Sequence, residues 1–336
     1  MPVNLQGATS GSTTIQASAT ASGTLTVPAA TDTLVGKNTT DTLTNKTIAA
    51  ATNTVEATSG PSGSAFSFRN KIINGGFDVW QRGTSFTVSS NGFYICDRWF
   101  CNLATAAFTV SRGAGIAAAG TGSASNYSLK LTGGAGNTAV GLSQRIESFN
   151  SVGAANSNPI SITVSFYTAS TVSKTVTVGL YYANSVDNFS GVTSAVATQQ
   201  YTIAGGAVWE KKTITFTNVN SNIRNGFSLD FLGFSLVTSQ EMLFANVQLE
   251  EGSVATPFES RPYGLEKHLA TRYCRKQQIL VGVSTAQTCF PIDMRSTPTV
   301  SGGGAGFSYV TNTTADTLVC YQTTAAAQTL LLESEL

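Results

Sequence analysis

Charge is scarce in this chain. Asp, Glu, Lys and Arg make up 11% of 336 residues and leave a net charge of +1, where ordinary globular domains carry roughly 25% charged residues. So neutral a chain has no electrostatic footprint for nucleic acid or an anionic membrane. Histidine occurs once, at His268, which leaves little room for a Ser-His-Asp or Cys-His relay and makes a zinc site at Cys96 and Cys101 unexpected. Five cysteines, Cys96, Cys101, Cys274, Cys289 and Cys320, form no disulfide framework in a chain of this length. They are expected to be reduced, buried thiols. No apolar run is long enough to span a bilayer, so no membrane insertion is expected. The start lacks the basic and apolar segments of a secretory leader, and none is expected. Gly302-Gly303-Gly304 precedes no Lys-Ser/Thr and is not a phosphate loop.

What is present is a β-rich palette of Thr, Ser, Gly, Ala and Val. Residues 1–66 contain no aromatic before Phe66 and only five charged side chains. Ile15, Ala17, Ala19 and Ala21 alternate with polar residues, and Leu25 and Val27 resume the alternation. Small inward residues bury too little area to offset the entropy of ordering one chain. Then comes TDTLVGKNTTDTLTNKTI, residues 31–48, in which Thr-Asp-Thr-Leu and a Lys return after nine positions. Three chains wound about one axis would stack Leu34, Leu43 and Ile48 inward, as fibrous repeats do. A disordered Thr/Ala-rich linker has the same texture, and both readings stay open. On the fibrous reading Ile15, Leu25, Val27, Leu34, Leu43 and Ile48 form the trimer core of a shaft.

Residues 67–259 read as an antiparallel β domain. Short alternating runs recur at Tyr127–Thr132, 160–166, 176–182, 214–216, 227–231 and 243–249, separated by Gly, Asn and Ser clusters. That spacing predicts a sandwich or jelly roll. Residues 260–336 open with Pro262, which suits a first helical turn, followed by Leu265, Leu269 and Tyr273 at helical spacing. Strand-like runs then fill the remainder, a β module too small to be robust alone. The predicted class is mainly all-β, with one short helix.

Three phrases carry a resemblance. The nine-residue echo resembles shaft repeats of bacteriophage tail fibre proteins. NKIINGGFDVWQRGTSF, with DRWF, resembles the opening of a jelly-roll domain of phage fibres, akin to carbohydrate-binding modules. FANVQLEEGSVATPFESRPYGLEKHLATRYCRK is similar to the segment that closes that domain and begins the helix, and FPIDMRSTPTV to the strand that follows. The resemblance implies a homotrimeric virion fibre, assembled in the host cytoplasm and acting outside it. Its N-terminus would meet a phage tail or baseplate protein, and its distal part a host-surface glycan or other receptor. Related jelly rolls often hold a calcium near the Gly-Gly-Phe-acid phrase and an Asp of the closing strand. Gly75-Gly76-Phe77-Asp78 is present, but Asn246 is neutral in the closing phrase, a poorer ligand for a hard cation. No metal and no cofactor is expected.

Trp80 and Trp99 lie among phenylalanines and are expected in the core. Trp209 follows a Gly-Gly turn, and Tyr181 and Tyr182 lead into a loop with Asn184, Asp187, Asn188 and Phe189. Aromatic faces beside Asn and Asp suit sugar rings, and these seven residues are the candidate glycan contacts. Arg261, Lys267, His268, Arg272, Arg275 and Lys276 are expected on a solvated helix face or at a subunit contact. Carboxylates such as Glu147, Asp187, Glu210 and Asp230 form no recognisable glycosidase pair, so no enzyme is expected. The alternatives to attachment are a purely structural baseplate or capsid-decoration fibre and a polysaccharide depolymerase.

Overall fold

Inward-facing Val, Leu, Ile and Phe at every second position can be buried only by stacking two sheets face to face. The computed structural model does this. It describes the backbone of residues 3–6, 12–15, 68–117, 124–151, 160–281, 285–289, 293–303, 307–309, 317–322 and 326–335. Two compact units divide at 56/57.

In the first unit β1 (Val3–Gln6) and β2 (Ser12–Ile15) form an antiparallel hairpin that pairs Ile15 with Val3. Leu25, Val27, Leu34, Leu43 and Ile48, with the nine-residue echo, lie outside the described residues, as does the side chain of Ile15.

The second unit continues with β3 (Ser85–Val88), β4 (Phe93–Tyr94), β5 (Phe100–Ala104), β6 (Phe108–Ala114), β7 (Tyr127–Thr132), β8 (Val140–Ile146), β9 (Ile160–Ser170), β10 (Lys174–Ser185), β11 (Asn188–Ser194), β12 (Gln199–Ile203), β13 (Glu210–Val219), β14 (Phe227–Phe234) and β15 (Glu241–Glu251). After α1 (Tyr263–Thr271) come β16 (Cys274–Val281), β17 (Thr285–Cys289), β18 (Thr299–Gly302), β19 (Phe307–Tyr309), β20 (Thr317–Gln322) and β21 (Ala326–Glu333). One layer of the sandwich is a seven-stranded sheet ordered β11-β10-β14-β8-β5-β4, with β12 also on β10. The other is a six-stranded sheet ordered β13-β9-β15-β7-β6-β3. All pairings are antiparallel, as in a jelly-roll-like sandwich.

The core lies between the layers. Val176, Val178 and Leu180 face Val164 and Phe166; Phe166 and Phe231 pack edge to face with centroids 5.1 Å apart, and Phe244 lies tilted against them at 6.2 and 5.1 Å. Trp99 is buried 5.2 Å from Phe77, and Trp80 packs against the core from its margin. Cys96, Cys101 and Cys274 are free and buried.

Asn74-Gly75-Gly76 organises the opening segment. A Cβ on Gly75 would lie 2.1 Å from the carbonyl oxygen of Val247, because β15 passes directly over it. Asn74 takes a left-handed backbone (φ 58°), and its amide donates to the carbonyls of Val79 and Asp97. Its own carbonyl accepts from the Trp99 indole at 3.1 Å.

The C-terminal segment packs on the sandwich. The Gln81 side chain pairs with the backbone of Cys274 and Lys276. Arg82 binds Asp97, Glu333 and Glu335, and buried Arg98 also binds Glu335. Pro262 caps α1 from just outside rather than occupying its first turn. The basic cluster divides. Arg261 is buried and bonded to the Asn70 and Ile72 carbonyls and Glu266, and Arg272 binds Glu147. Arg275 and Lys276 belong to β16. Arg261 is thereby held off a free helix face, whereas the Arg272 side chain stays 40% exposed and Lys267 and His268 of α1 are exposed.

Candidate functional site

Where β8 ends beside α1, a cleft of about 290 Å³ opens, near the lower limit of the roughly 300–1,000 Å³ of ligand pockets. Its walls are the opening segment (Phe68, Lys71, Ile73), the end of β8 (Gln144, Arg145), the turn that follows it (Glu147, Phe149) and the helix side (Arg261, Leu269, Tyr273).

Each wall has a local cause. Glu259 accepts the backbone N–H of Phe68 and Asn70, and Arg261 reaches the carbonyls of Asn70 and Ile72. The closing phrase thus clamps the opening phrase and leaves the Phe68 ring 56% exposed. The Gln144 side chain pairs with both the N–H and the carbonyl of Ile73 at 2.8 Å, as a strand neighbour would. Buried Glu147 accepts from Tyr273 Oη at 2.8 Å and from Arg272 at 3.2 Å. Tyr273 lies under the Arg98 guanidinium, 3.6 Å from its ring centre, and burial pushes its hydroxyl up to about 12.

Phe149 stands on a 3-10 turn, Ser148–Asn150, and is 92% exposed. It is the most exposed large apolar side chain among the described residues. The turn is fixed by Asp187, whose two carboxylate oxygens accept from the N–H (2.7 Å) and the hydroxyl (2.9 Å) of Ser148. One residue expected to fork onto sugar hydroxyls thus supports the aromatic beside it.

The other candidate contacts scatter. Tyr181 and Tyr182 are consecutive strand residues and face opposite sides. Tyr182 packs against the core. Tyr181 lies on the outer face over Gly179, its hydroxyl held above the usual phenol range by burial and then by the Asp230 charge. Asn184 is exposed and accepts from Thr193, and Asn188 is exposed and accepts from Ser190. Phe189 lies 5.2 Å from the Arg145 guanidinium, which also covers Phe100 at 4.6 Å. Phe189 and Asp187 thus touch Arg145 and Ser148, but none of the seven expected contacts lines the cleft itself. Trp209 is elsewhere, on the outer face of the six-stranded sheet with Tyr167, Ala245 and Ile116.

Phe68, Phe149 and Tyr273 escaped the sequence reading as contacts. The signal for Phe149 was there: one bulky aromatic inside a polar turn phrase. On the outer face of the seven-stranded sheet, burial raises Asp230 to about 6 although Ser143 (2.7 Å) and Asn102 (3.1 Å) donate to it. Among the described residues no three His, Cys, Asp or Glu side chains converge as metal ligands. The hollow of about 10 Å³ beside Asp78 is lined also by Glu259, Glu266 and the Arg261 they pair with, and the Asn246 amide donates to the Ala124 carbonyl at 3.3 Å.

No family model matches the chain, and no curated protein matches it. Among solved structures it is similar to the enzymatically active domain of tailspike protein 4 from bacteriophage CBA120, at 13% identity and a TM-score of 0.37, over 55% of this chain and 21% of that one. A putative sugar binding protein from Bacteroides thetaiotaomicron is similar at 15% identity and TM-score 0.38, over 54% of this chain and 99% of its own. A family 11 carbohydrate-binding module from Clostridium thermocellum, solved with a mixed-linked tetrasaccharide, follows at 14% and 0.29, over 52% and 98%. Scores this low carry no weight for function.

Proposed function

We propose that the chain is a host-attachment fibre protein of a bacterial virus, and that its cleft takes a saccharide of the host surface. The observation that carries the binding reading is Phe149, 92% exposed on a braced turn, facing a cleft with polar and charged walls. Two accessible rings, Phe68 and Phe149, suit the apolar faces of sugars, while Lys71, Arg145 and Glu147 suit their hydroxyls. The fibre reading is supported by the three sequence phrases. In it residues 1–66 attach to the virion and begin a shaft, residues 67–259 form the jelly roll, and residues 260–336 close a homotrimer. Three linked heads would raise weak single-site affinity by on the order of a hundredfold or more. No catalytic role is proposed.

A bacterial-glycan array probed with the purified chain tests the reading, alongside native mass. At least one saccharide should bind, Phe149→Ser should weaken that binding by about tenfold (~1.4 kcal/mol), and the melting temperature should stay unchanged. Binding by no glycan, or binding indifferent to Phe149→Ser, refutes the cleft. A native mass of one chain refutes the trimer.

A further inference from the structure

A second cavity, of about 260 Å³, opens on the other layer of the sandwich. Its residues follow from strand parity. In β9 Val164 and Phe166 point into the core, so Ser165 and Tyr167 point outward. Lys211 of β13 stands opposite Tyr167 in register and forms no ion pair among the described residues. In β15 the register on β9 shifts between Ala245 and Gln248, and Asn246 there has φ 50°. This bulge turns both Phe244 and Val247 into the core and leaves Asn246 in the cavity wall. Pro257 and Phe258 complete the enclosure. Trp209 packs in the cluster that includes the wall residue Tyr167.

We propose that this cavity is a second saccharide site, independent of the cleft. Phe258 supplies ring surface beside the edge of Tyr167. Lys211 and Ser165 supply an ammonium and a hydroxyl, polar groups suited to a polyhydroxylated ring. The cleft is built on β8 of the seven-stranded sheet, and this cavity lies on the outer face of the six-stranded sheet. The two share no lining residue, so a single head would offer two places for a sugar chain. The proposal shares only its ligand class with the function proposed above.

The chain has three tryptophans, so 5-fluorotryptophan gives three ¹⁹F resonances, and Trp209→Phe assigns the reporter. The indoles of Trp80 and Trp99 are tied to the carbonyls of Phe77 and Asn74. The full chain is titrated with a neutral β-linked glucose tetrasaccharide, a β-linked galactose tetrasaccharide and trigalacturonic acid. The Trp209 resonance should move with at least one of them, move equally in Phe149→Ser, and stay still in Lys211→Glu. No movement with any of the three overturns the proposal, as does movement abolished by Phe149→Ser. If Lys211→Glu abolishes all saccharide binding while Phe149→Ser changes none, this site stands and the cleft reading fails.

Discussion

Glu335 holds the C-terminal segment to the sandwich, and replacing it with Ala tests how the cleft is built. Its carboxylate meets Arg82 at 2.9 Å and also binds Arg98. The Arg98 side chain is 2% exposed and that of Glu335 5%. Removing one partner of a buried pair leaves the other charge desolvated and unpaired, at a cost of about 3–5 kcal/mol. Glu333 is the internal control. It binds the same Arg82 at 2.6 Å, but its side chain is 33% exposed, and Arg82 keeps Asp97 and Glu335 without it. Glu333→Ala should therefore cost under about 1 kcal/mol. The consequence reaches the cleft because Arg98 covers Tyr273, whose hydroxyl donates to Glu147. Urea unfolding of both variants reads the stability difference, and saccharide titration reads the cleft. Glu335→Ala should lose about 3 kcal/mol or more together with saccharide affinity. Equal, small losses in the two variants would refute the reasoning.

Three further outcomes follow from the geometry. Asp187→Ala removes both bonds to Ser148, so urea unfolding should show a loss of about 1–3 kcal/mol and saccharide affinity should fall, while Asp187→Asn retains much of each. Burial raises Asp230 from 3.8 to about 6, so between those values the folded chain keeps a proton that the unfolded chain has released. Its contribution is thus most favourable at low pH and is lost as pH rises through about 6, by about 3 kcal/mol. Asp230→Asn should flatten the stability profile between pH 4 and 6 when unfolding is followed across that range, leaving the slope from Asp97, which burial raises to about 6 in spite of Arg82. Gly75→Ala would drive a methyl to 2.1 Å from the Val247 carbonyl, which cannot retreat without loosening the bond from Val247 N–H to Gly75 O. A destabilisation of about 3 kcal/mol is expected by urea unfolding.

Much of the second unit was legible because its strands obey a local rule. Tyr127–Thr132 is β7 to the residue, and the runs at 227–231 and 243–249 lie within β14 and β15. The helix and the strand-rich remainder were readable from spacing for the same reason. Partition of strands between layers was not, because it depends on pairings far apart in sequence. That partition separates Trp209 from Tyr181, although both sit beside Gly- or Asn-rich turns. The opposed facing of Tyr181 and Tyr182 was within reach, since Val176, Val178 and Leu180 set the inward parity. The burial of Arg261, expected on a solvated helix face or at a subunit contact, was not legible because its acceptors at Asn70 and Ile72 lie about 190 positions earlier. Phe149 illustrates the converse limit: sequence shows an aromatic in a polar turn, but only the bond from Ser148 to Asp187 shows why it stays outside.

The most direct measurement is a crystal structure of the full chain soaked with the tightest saccharide from the array. Density for a sugar ring against Phe149 or Phe68, with hydroxyls within hydrogen-bond reach of Lys71, Arg145 or Glu147, is the expected result. A bound sugar that leaves this cleft empty would contradict it.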